Sequence, residues 1–191
     1  MTIASDVITI HTAQRKIIKE ILDTEGVYRV QGKFIDKKYG DQAWIFKTAY
    51  SFFNQYAPQY LAKPEGAESG IWTYLDKRWV GAQPECMVMT FEVPRNEVLL
   101  FDLRLWNKIL NLDYIAENEA DAKRFQQNLD RMGIAQSLQA FTTPFYPTVK
   151  REITNSWQRL FDSAQDCPET YLEAAVWELK KDWLIDYYEI E

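Results

Sequence analysis

The sequence contains a single histidine, and His11 is the first residue whose type and position suggest chemistry. Residues 6–11 alternate between polar and apolar side chains, which predicts a β-strand that ends at His11. Thr12 is predicted to cap a following helix that Gly26 ends. A helix start offers unpaired backbone N–H groups and the positive end of the helix dipole. His11 is therefore predicted to lie beside a phosphate or ribose group; the alternative is a half-exposed strand histidine with no ligand.

Glu178 is the second candidate, because it occurs where the pattern requires an apolar residue. Residues 172–179 read LEAAVWEL and predict a strand. Side chains alternate between the two faces of a strand, so Glu178 shares a face with Ala174 and Val176. An unpaired carboxylate is costly to bury on such a face, which suggests a functional reason for it. The alternative is that the strand ends before Glu178 and that its carboxylate pairs with Lys180.

Most of the familiar catalytic and metal-binding patterns are missing from the sequence. A single histidine excludes a multi-histidine metal site and the HExxH motif, and no metal is expected. The GxSxG elbow of serine hydrolases and the glycine-rich loops GxxxxGK[ST] and GxGxxG do not occur. Cys86 and Cys167 lie far apart, so we expect two free thiols in a reducing compartment.

The charge balance limits the possible partners. The formal net charge is −6, the isoelectric point is about 5.0, and the last ten residues contain four acids and no base. This balance disfavours binding to bulk duplex DNA, which requires clustered bases. The sequence shows neither a signal-peptide pattern nor an apolar run of roughly 18 residues that a membrane span needs. A cytoplasmic protein without a membrane partner is the expectation.

Hydrophobic periodicity and turn residues predict both strands and helices along the chain. The predicted strands lie at about 6–11, 27–30, 33–35, 71–75, 86–93 and 97–100, with a final hairpin of 172–179 and 183–190 that turns at 180–182. Helices are predicted after Thr12, from Asp41 to Pro58, after Asp102, at about 117–132 and from Pro147. This order predicts one α+β domain over residues 1–191, with a mixed or antiparallel sheet of short strands and several packed helices.

Residues 98–111 read VLLFDLRLWNKILN and predict a corner between a strand and a helix. Asp102 is predicted to cap the helix, and Trp106 lies on its apolar face. Met132 is predicted to lie on the apolar face of the 117–132 helix, and Trp157 lies on the apolar face of the helix that begins at Pro147. Both tryptophans are therefore expected to be core residues rather than ligand contacts.

The same stretch resembles a signature of an uncharacterised bacterial family, domain of unknown function 3841, which typically reads VLLSDFDLWHYVLN. Further matches follow in order along the chain: Thr12-Ala13-Gln14, Ala49-Tyr50, Ile71-Trp72, Ser156-Trp157, Phe161-Asp162 and Trp177-Glu178-Leu179. The sequence departs from the signature at Phe101, Arg104 and Asn107, where the family has Ser, Asp and His. Because these departures replace the Ser, Asp and His of the signature while its apolar positions stay apolar, the stretch is interpreted as structural.

The order of the candidates also resembles that of ADP-ribosyltransferases, in which a strand histidine holds the ribose of NAD and a late strand glutamate is catalytic. The resemblance implies an ADP-ribosyltransferase-like fold and an enzyme that uses NAD as its substrate. His11 would position the ribose and Glu178 would support the oxocarbenium-like transition state as nicotinamide leaves. Thr12 and Gln14 would belong to the NAD site, and Tyr50 or Trp72 would stack on the nicotinamide. The target would be an unknown protein or nucleic acid.

A second hypothesis from another class is a non-catalytic protein-interaction or ligand-binding module. Aromatic residues make up 15% of the chain, which includes seven tryptophans. Exposed Trp and Tyr side chains are common anchors for a protein partner. Burial of the same residues in the core is equally compatible with the composition, so the two hypotheses remain open at this point.

Overall fold

The computed structural model describes residues 7–31, 40–81 and 84–190. This part of the chain contains six α-helices and eight strands, which confirms the predicted α+β class and the antiparallel sheet. The strands are β1 (Val7–Arg15), β2 (Val27–Tyr28), β3 (Ile71–Tyr74), β4 (Cys86–Pro94), β5 (Leu99–Asp102), β6 (Leu172–Val176), β7 (Leu179–Lys180) and β8 (Leu184–Glu189). The helices are α1 (Lys16–Glu25), α2 (Ala43–Tyr56), α3 (Leu103–Leu110), α4 (Glu119–Arg131), α5 (Gln139–Thr142) and α6 (Pro147–Ser156).

Six of the strands form one sheet in the order β5-β6-β3-β1-β4-β8, and β2 and β7 form a small second sheet. β1 is an inner strand that pairs antiparallel with β3 on one side and with β4 on the other. β3 in turn pairs antiparallel with β6, and β4 pairs antiparallel with β8. The first strand of the chain therefore lies between strands that come from the middle of the sequence.

The chain divides into two compact units, and each is discontinuous in sequence. The first unit takes Met1–Phe34, Phe53–Leu100 and Leu172–Glu191, and the second takes Ile35–Phe52 and Phe101–Tyr171. The expectation of a single domain over residues 1–191 stays a prediction.

The core of the first unit lies on one face of the sheet. It contains alternate residues of the strands together with Leu22 of α1 and Leu179 of β7. The strand residues of this core are Ile10, Ile71, Met87, Met89, Phe91, Val93, Ala174 and Val176. Gly26 ends α1 as predicted, with a φ of 78° that a residue without a Cβ adopts at little cost.

The prediction that Thr12 caps a helix is wrong. β1 continues to Arg15, and α1 begins only at Lys16, without a side-chain cap. All nine residues of β1 pair in register with β4, from Val7 opposite Pro94 to Arg15 opposite Cys86. This continuous ladder satisfies the backbone groups that an earlier helix start would have left unpaired. His11 therefore lies inside a strand, and its predicted position beside a helix N-terminus is also wrong.

The predicted C-terminal hairpin is wrong as well. β6 pairs with β3, whereas β8 pairs with β4 on the other side of β1, so three strands separate the two segments. The intervening residues form β7, which pairs with β2, and a 3-10 turn at Lys181–Trp183. Alternation of side chains predicted a strand in each segment, although the first ends at Val176 rather than at residue 179, and it carries no information about which strand pairs with which.

Residues 101–111, which belong to the second unit, agree with the structural interpretation of this stretch. The Asp102 carboxylate accepts a hydrogen bond from the backbone N–H of Arg104 at 2.8 Å and so caps α3 as predicted. The Arg104 guanidinium also donates to both oxygens of this carboxylate. Burial by itself raises the pKa of Asp102, but the hydrogen bonds from Arg104 together outweigh it, so the pKa is lowered. Trp106 is buried and stacks on Tyr50, with ring centroids 6.0 Å apart.

Trp157 is fully buried in the second unit, as predicted. Its indole Nε1 donates to the backbone carbonyl of Asp113 at 2.8 Å, and its ring packs against Phe52 and Phe141. The helix at 117–132 is also confirmed in type, although Met132 is largely exposed and was wrongly predicted to face the core. Met132 follows the last residue of α4, where the helical spacing no longer determines the direction of the side chain.

Three further predictions concern a short strand, the two cysteines and membrane-spanning helices. The strand predicted at 33–35 lies outside the described residues. Cys86 and Cys167 are both free thiols, as expected. Among residues 7–31, 40–81 and 84–190, no helix has the length and apolar character needed to cross a bilayer.

Candidate functional site

Five polar side chains of the first unit lie in one row across the large sheet, and we call this set the polar row. It runs from Glu173 in β6 to Tyr74 in β3, His11 in β1, Thr90 in β4 and Asp186 in β8, each residue directly opposite the next. Residues that lie opposite each other on neighbouring strands point to the same face, with Cβ atoms about 5 Å apart. The polar row is therefore one continuous line of polar side chains on a single face of the sheet, built by five strands.

The polar row lies on the face of the sheet turned away from the apolar core of the first unit. Ile10 and Ala174 belong to that core, and each is the sequence neighbour of a row residue. Because successive side chains of a strand point to opposite faces, His11 and Glu173 must face the other way. The same alternation that buries one face of the sheet thus aligns the polar groups on the other.

His11 is held in place by its neighbour in the row. Its Nδ1 is hydrogen-bonded to the Thr90 hydroxyl, with the two atoms 3.0 Å apart, and Thr90 is only 6% exposed. Burial, followed by the positive charge of Lys77, lowers the pKa of His11. The neutral imidazole is therefore favoured at neutral pH, and the ring serves as an oriented hydrogen-bonding group rather than as a cation.

Glu173 is the most perturbed acid in the polar row. It is 7% exposed, and burial raises the pKa of its carboxyl group to about 7. Among the described residues, no hydrogen bond or ion pair to this carboxyl compensates for the loss of water. Tyr74, directly opposite, also has a raised pKa, first because of burial and second because of the negative charge of Glu173. A desolvated carboxyl that titrates near neutral pH is typical of groups that take part in chemistry.

The other end of the polar row is charged and open to solvent. Lys77, in the 3-10 turn after β3, places its Nζ 3.4 Å from an Asp186 carboxylate oxygen and 4.5 Å from the centroid of the Tyr188 ring. Arg78 is engaged elsewhere, because its guanidinium and backbone N–H donate to Asp76 and lower the pKa of that carboxyl to about 2. The row thus combines a buried titratable end with a solvated ionic end.

Three of the predicted NAD-site residues belong to the first unit, and all three lie outside the polar row. Gln14 donates to the Thr12 hydroxyl at 2.8 Å, and this hydroxyl contacts the backbone carbonyl of Trp72 at 3.4 Å. Thr12 is buried, and by alternation it points away from the His11 face. Trp72 lies on the same face as Tyr74, and its ring meets the ring of Phe53 edge to face at 4.7 Å.

Tyr50, the other predicted stacking residue, belongs to the second unit. Its ring stacks on Trp106 with an interplanar angle of 10°, and Phe46 packs against its edge. These contacts place Tyr50 in an aromatic cluster of that unit.

Glu178 is an ion-paired residue. β6 ends at Val176, before Glu178, and the carboxylate accepts from Arg29 at 2.6 and 2.7 Å on one oxygen and lies 3.0 Å from the Lys180 ammonium on the other. The structural alternative considered for this residue, a strand that ends early and a pair with Lys180, is confirmed. Both carboxylate oxygens are occupied, and the side chain is nearly buried.

None of the contacts that His11 or Glu178 makes in the described residues joins the two side chains. His11 interacts with Thr90 and with the charges of Lys77, Asp76 and Asp186. Glu178 interacts with Arg29 and Lys180 instead. A shared nucleotide-binding cleft for His11 and Glu178 stays a prediction.

Sequence reasoning missed Glu173 and Tyr74. In LEAAV, Glu173 occupies the polar position of the alternation, which usually faces solvent in a half-buried sheet, so the pattern does not single it out. The signal that was present is the pair Trp72 and Tyr74, two aromatics with a spacing of two residues. They indicate that the second face of this sheet is also covered in part, so that a glutamate on it is removed from water.

The second unit contains a separate cavity of about 380 Å³. Its walls include the polar side chains of Asn111, Asp113, Gln126, Gln136 and Ser137. None of the residues predicted from the sequence to form a site lines it. Within the described part of the chain, no group of three His, Cys, Asp or Glu side chains has an arrangement that would hold a metal ion.

The fold and the polar row define an α+β protein with a partly buried, titratable site on one face of an antiparallel sheet. The chain belongs to the family described as Domain of unknown function (DUF3841), whose sequence profile matches residues 9–185. The resemblance based on residues 98–111 is thereby confirmed at the level of the family. No curated protein and no solved structure matches the chain.

Proposed function

We propose that this protein is an NAD-dependent, ADP-ribosyltransferase-like enzyme that acts on a macromolecular target. The observation that supports the proposal is the polar row, in which His11, Tyr74 and the desolvated Glu173 occupy three adjacent strands on one face. A strand histidine and a late strand glutamate are the two residues that the resemblance to ADP-ribosyltransferases requires. In the polar row, Tyr74 lies between the two, directly opposite His11 on one side and Glu173 on the other.

Each of the three residues has properties suited to one part of the reaction. The neutral His11 ring, fixed by Thr90, can hydrogen-bond to ribose hydroxyls without attracting a second anion. Tyr74 offers an aromatic face beside it on which a nicotinamide ring can stack. Glu173 can place a negative charge where the ribose becomes positive, once the bond between C1′ and the nicotinamide nitrogen breaks and its electron pair leaves with nicotinamide.

The desolvation of Glu173 favours the transition state over the ground state. Among the described residues the carboxylate has no compensating partner, and burial raises its pKa to about 7. A cationic ribose intermediate provides the missing partner, and the attraction is strong because water is excluded. An interaction that forms fully only in the transition state raises the rate rather than the affinity for NAD. The acceptor then bonds to C1′ and loses its proton.

Glu173 fits the catalytic position better than Glu178 does. The Glu178 carboxylate is neutralised by Arg29 and Lys180, so it offers little charge to a developing cation. The role predicted for Glu178 remains untested and is included in the experiment below.

The test combines calorimetry with NAD and a nicotinamide-release assay in the presence of candidate protein and nucleic-acid targets. Glu173→Gln keeps the shape of the side chain and should retain NAD binding, but nicotinamide release should fall by about 100-fold or more. Glu92→Gln, which removes an exposed acid from β4 of the same sheet, is the matched control and should release nicotinamide at the wild-type rate.

The outcomes separate the hypotheses. If Glu178→Gln abolishes release while Glu173→Gln does not, the catalytic carboxylate is Glu178 and the assignment made here is wrong. A wild-type protein that neither binds NAD nor releases nicotinamide would refute the enzyme proposal and leave the non-catalytic interaction module as the remaining hypothesis.

A further inference from the structure

We infer that Lys77, beside the polar row, binds the diphosphate of a dinucleotide. Asp186, a member of the row, is its counter-ion in the ligand-free protein. This inference rests on the proposed function and identifies the group that distinguishes a dinucleotide from a simple nucleoside at the same site. It follows from the path of one side chain over the sheet.

Lys77 extends across the face that carries His11. It belongs to the turn after β3, whereas its partners Asp186 and Tyr188 belong to β8. In the sheet, β1 and β4 lie between β3 and β8. Asp186 lies opposite Thr90 and Tyr188 lies opposite Val88, so both point to the His11 face. The turn after β3 and the Lys77 side chain must therefore together reach over this face, and the ammonium lies on it.

The charges near the row make such a cation necessary for an anionic ligand. Besides Lys77, the charges that act on His11 are those of Asp76 and Asp186, both negative. These two carboxylates would repel a bound diphosphate unless a nearby cation compensated for its negative charge. Arg78 cannot readily take this role, because Asp76 already binds its guanidinium through two oxygens. Lys77 is the cation that remains close to His11 in the described part of the chain.

The existing contacts of Lys77 are weak enough to be exchanged. Its distance to Asp186 is 3.4 Å, longer than the roughly 2.7–2.9 Å of a strong charge-assisted hydrogen bond. Both side chains are more than a third exposed, at 39% and 59%, so the pair is solvated. A diphosphate offers a lysine several charged oxygens in place of this one long contact, so transfer of the ammonium from Asp186 to the ligand is favourable.

The experiment measures dissociation constants by calorimetry for three ligands: NAD, ADP and nicotinamide riboside, which has no phosphate. Lys77→Met should weaken NAD and ADP binding about tenfold or more, the loss expected for a hydrogen bond to a charged group. It should leave nicotinamide riboside binding within twofold. Lys77→Arg should retain most of the affinity for NAD because it keeps the positive charge.

Two further variants test the exchange itself. Asp186→Asn frees Lys77 and should tighten NAD binding by about threefold, within the range for an exposed ion pair. Lys19→Met is the matched control. The Lys19 ammonium lies over the ring of Tyr187, which also belongs to β8. Tyr187 is opposite Met89 and therefore points to the core face rather than to the His11 face. This variant should bind NAD as the wild type does.

The results distinguish failure of the inference from failure of the proposed function. If the wild type binds NAD and Lys77→Met binds NAD and ADP within twofold of it, the assignment of Lys77 is wrong while the NAD site stands. Equal losses for NAD and nicotinamide riboside would also overturn it, since they would indicate a general distortion. A wild type that binds neither NAD nor ADP would refute both.

Discussion

Replacement of Glu173 by glutamine should stabilise the protein, and the gain should appear only as the pH rises. In the folded chain the pKa of Glu173 is about 7, whereas its ordinary value is 4.5. A tenfold change in proton affinity corresponds to about 1.4 kcal/mol, so the difference corresponds to about 3 kcal/mol in the free energy of unfolding. Because the pKa is raised on folding, this stability is fully present below pH 4.5 and is lost as the pH rises to about 7.

Glutamine is neutral at every pH and resembles the protonated carboxyl in shape, so it removes this loss. The free energy of unfolding of Glu173→Gln minus that of the wild type should therefore increase by about 3 kcal/mol between pH 4.5 and pH 7.5. Urea denaturation at a series of pH values measures it, and taking the difference cancels the titration of all other groups, including His11.

Glu92→Gln again serves as the control and should change stability by less than about 0.5 kcal/mol at every pH, as expected for an exposed residue. If the Glu173→Gln difference does not vary with pH, the carboxyl is either solvated or paired in the folded protein. That result would refute the argument that Glu173 is held desolvated for chemistry.

Three further predictions concern stability and partners. Trp157→Ala should lower the free energy of unfolding by about 3–5 kcal/mol because the indole is fully buried, whereas Trp79→Ala, at a site 61% exposed, should change it by less than about 1 kcal/mol; equal effects in denaturation experiments would contradict this. Arg29→Met should cost about 2 kcal/mol by removing the stronger partner of Glu178, and adding Glu178→Gln should recover part of the loss; no recovery would argue against an ion-pair origin. Binding to duplex DNA should be weaker than micromolar at physiological salt because of the acidic balance, and a tight, salt-sensitive complex in a titration would contradict this.

Periodicity predicted the elements well and their arrangement poorly. The strands at 71–75 and 86–93 and the helices beginning near Asp41 and Pro147 were found close to their predicted positions, because apolar spacing is a property of each segment alone. The placement of residues 183–190 beside β4 depends on backbone pairing with a distant segment, which leaves no local pattern in the sequence.

The site was predicted only in part for the same reason. His11 could be selected because it is the single histidine, and Trp72 proved to share the face of Tyr74. The chain contains 28 acidic residues, and the sequence does not distinguish Glu173 from the others, because its burial arises from neighbours across the sheet. Glu178 was selected because the strand was predicted to continue through it, whereas β6 ends at Val176, two residues before Glu178.

The position of β6 beside β3 has a consequence for how the protein is made. Ribosomes deliver the chain from the N-terminus, so β1, β3 and β4 emerge long before Leu172–Val176 does. Until that segment arrives, one edge of β3 remains unpaired and exposes backbone donors and acceptors to neighbouring chains. The polar row lacks Glu173 during the same interval. We therefore expect the nascent chain to pass through a stage that is prone to association, and the sheet and the polar row are both completed only after β6 and β8 have emerged.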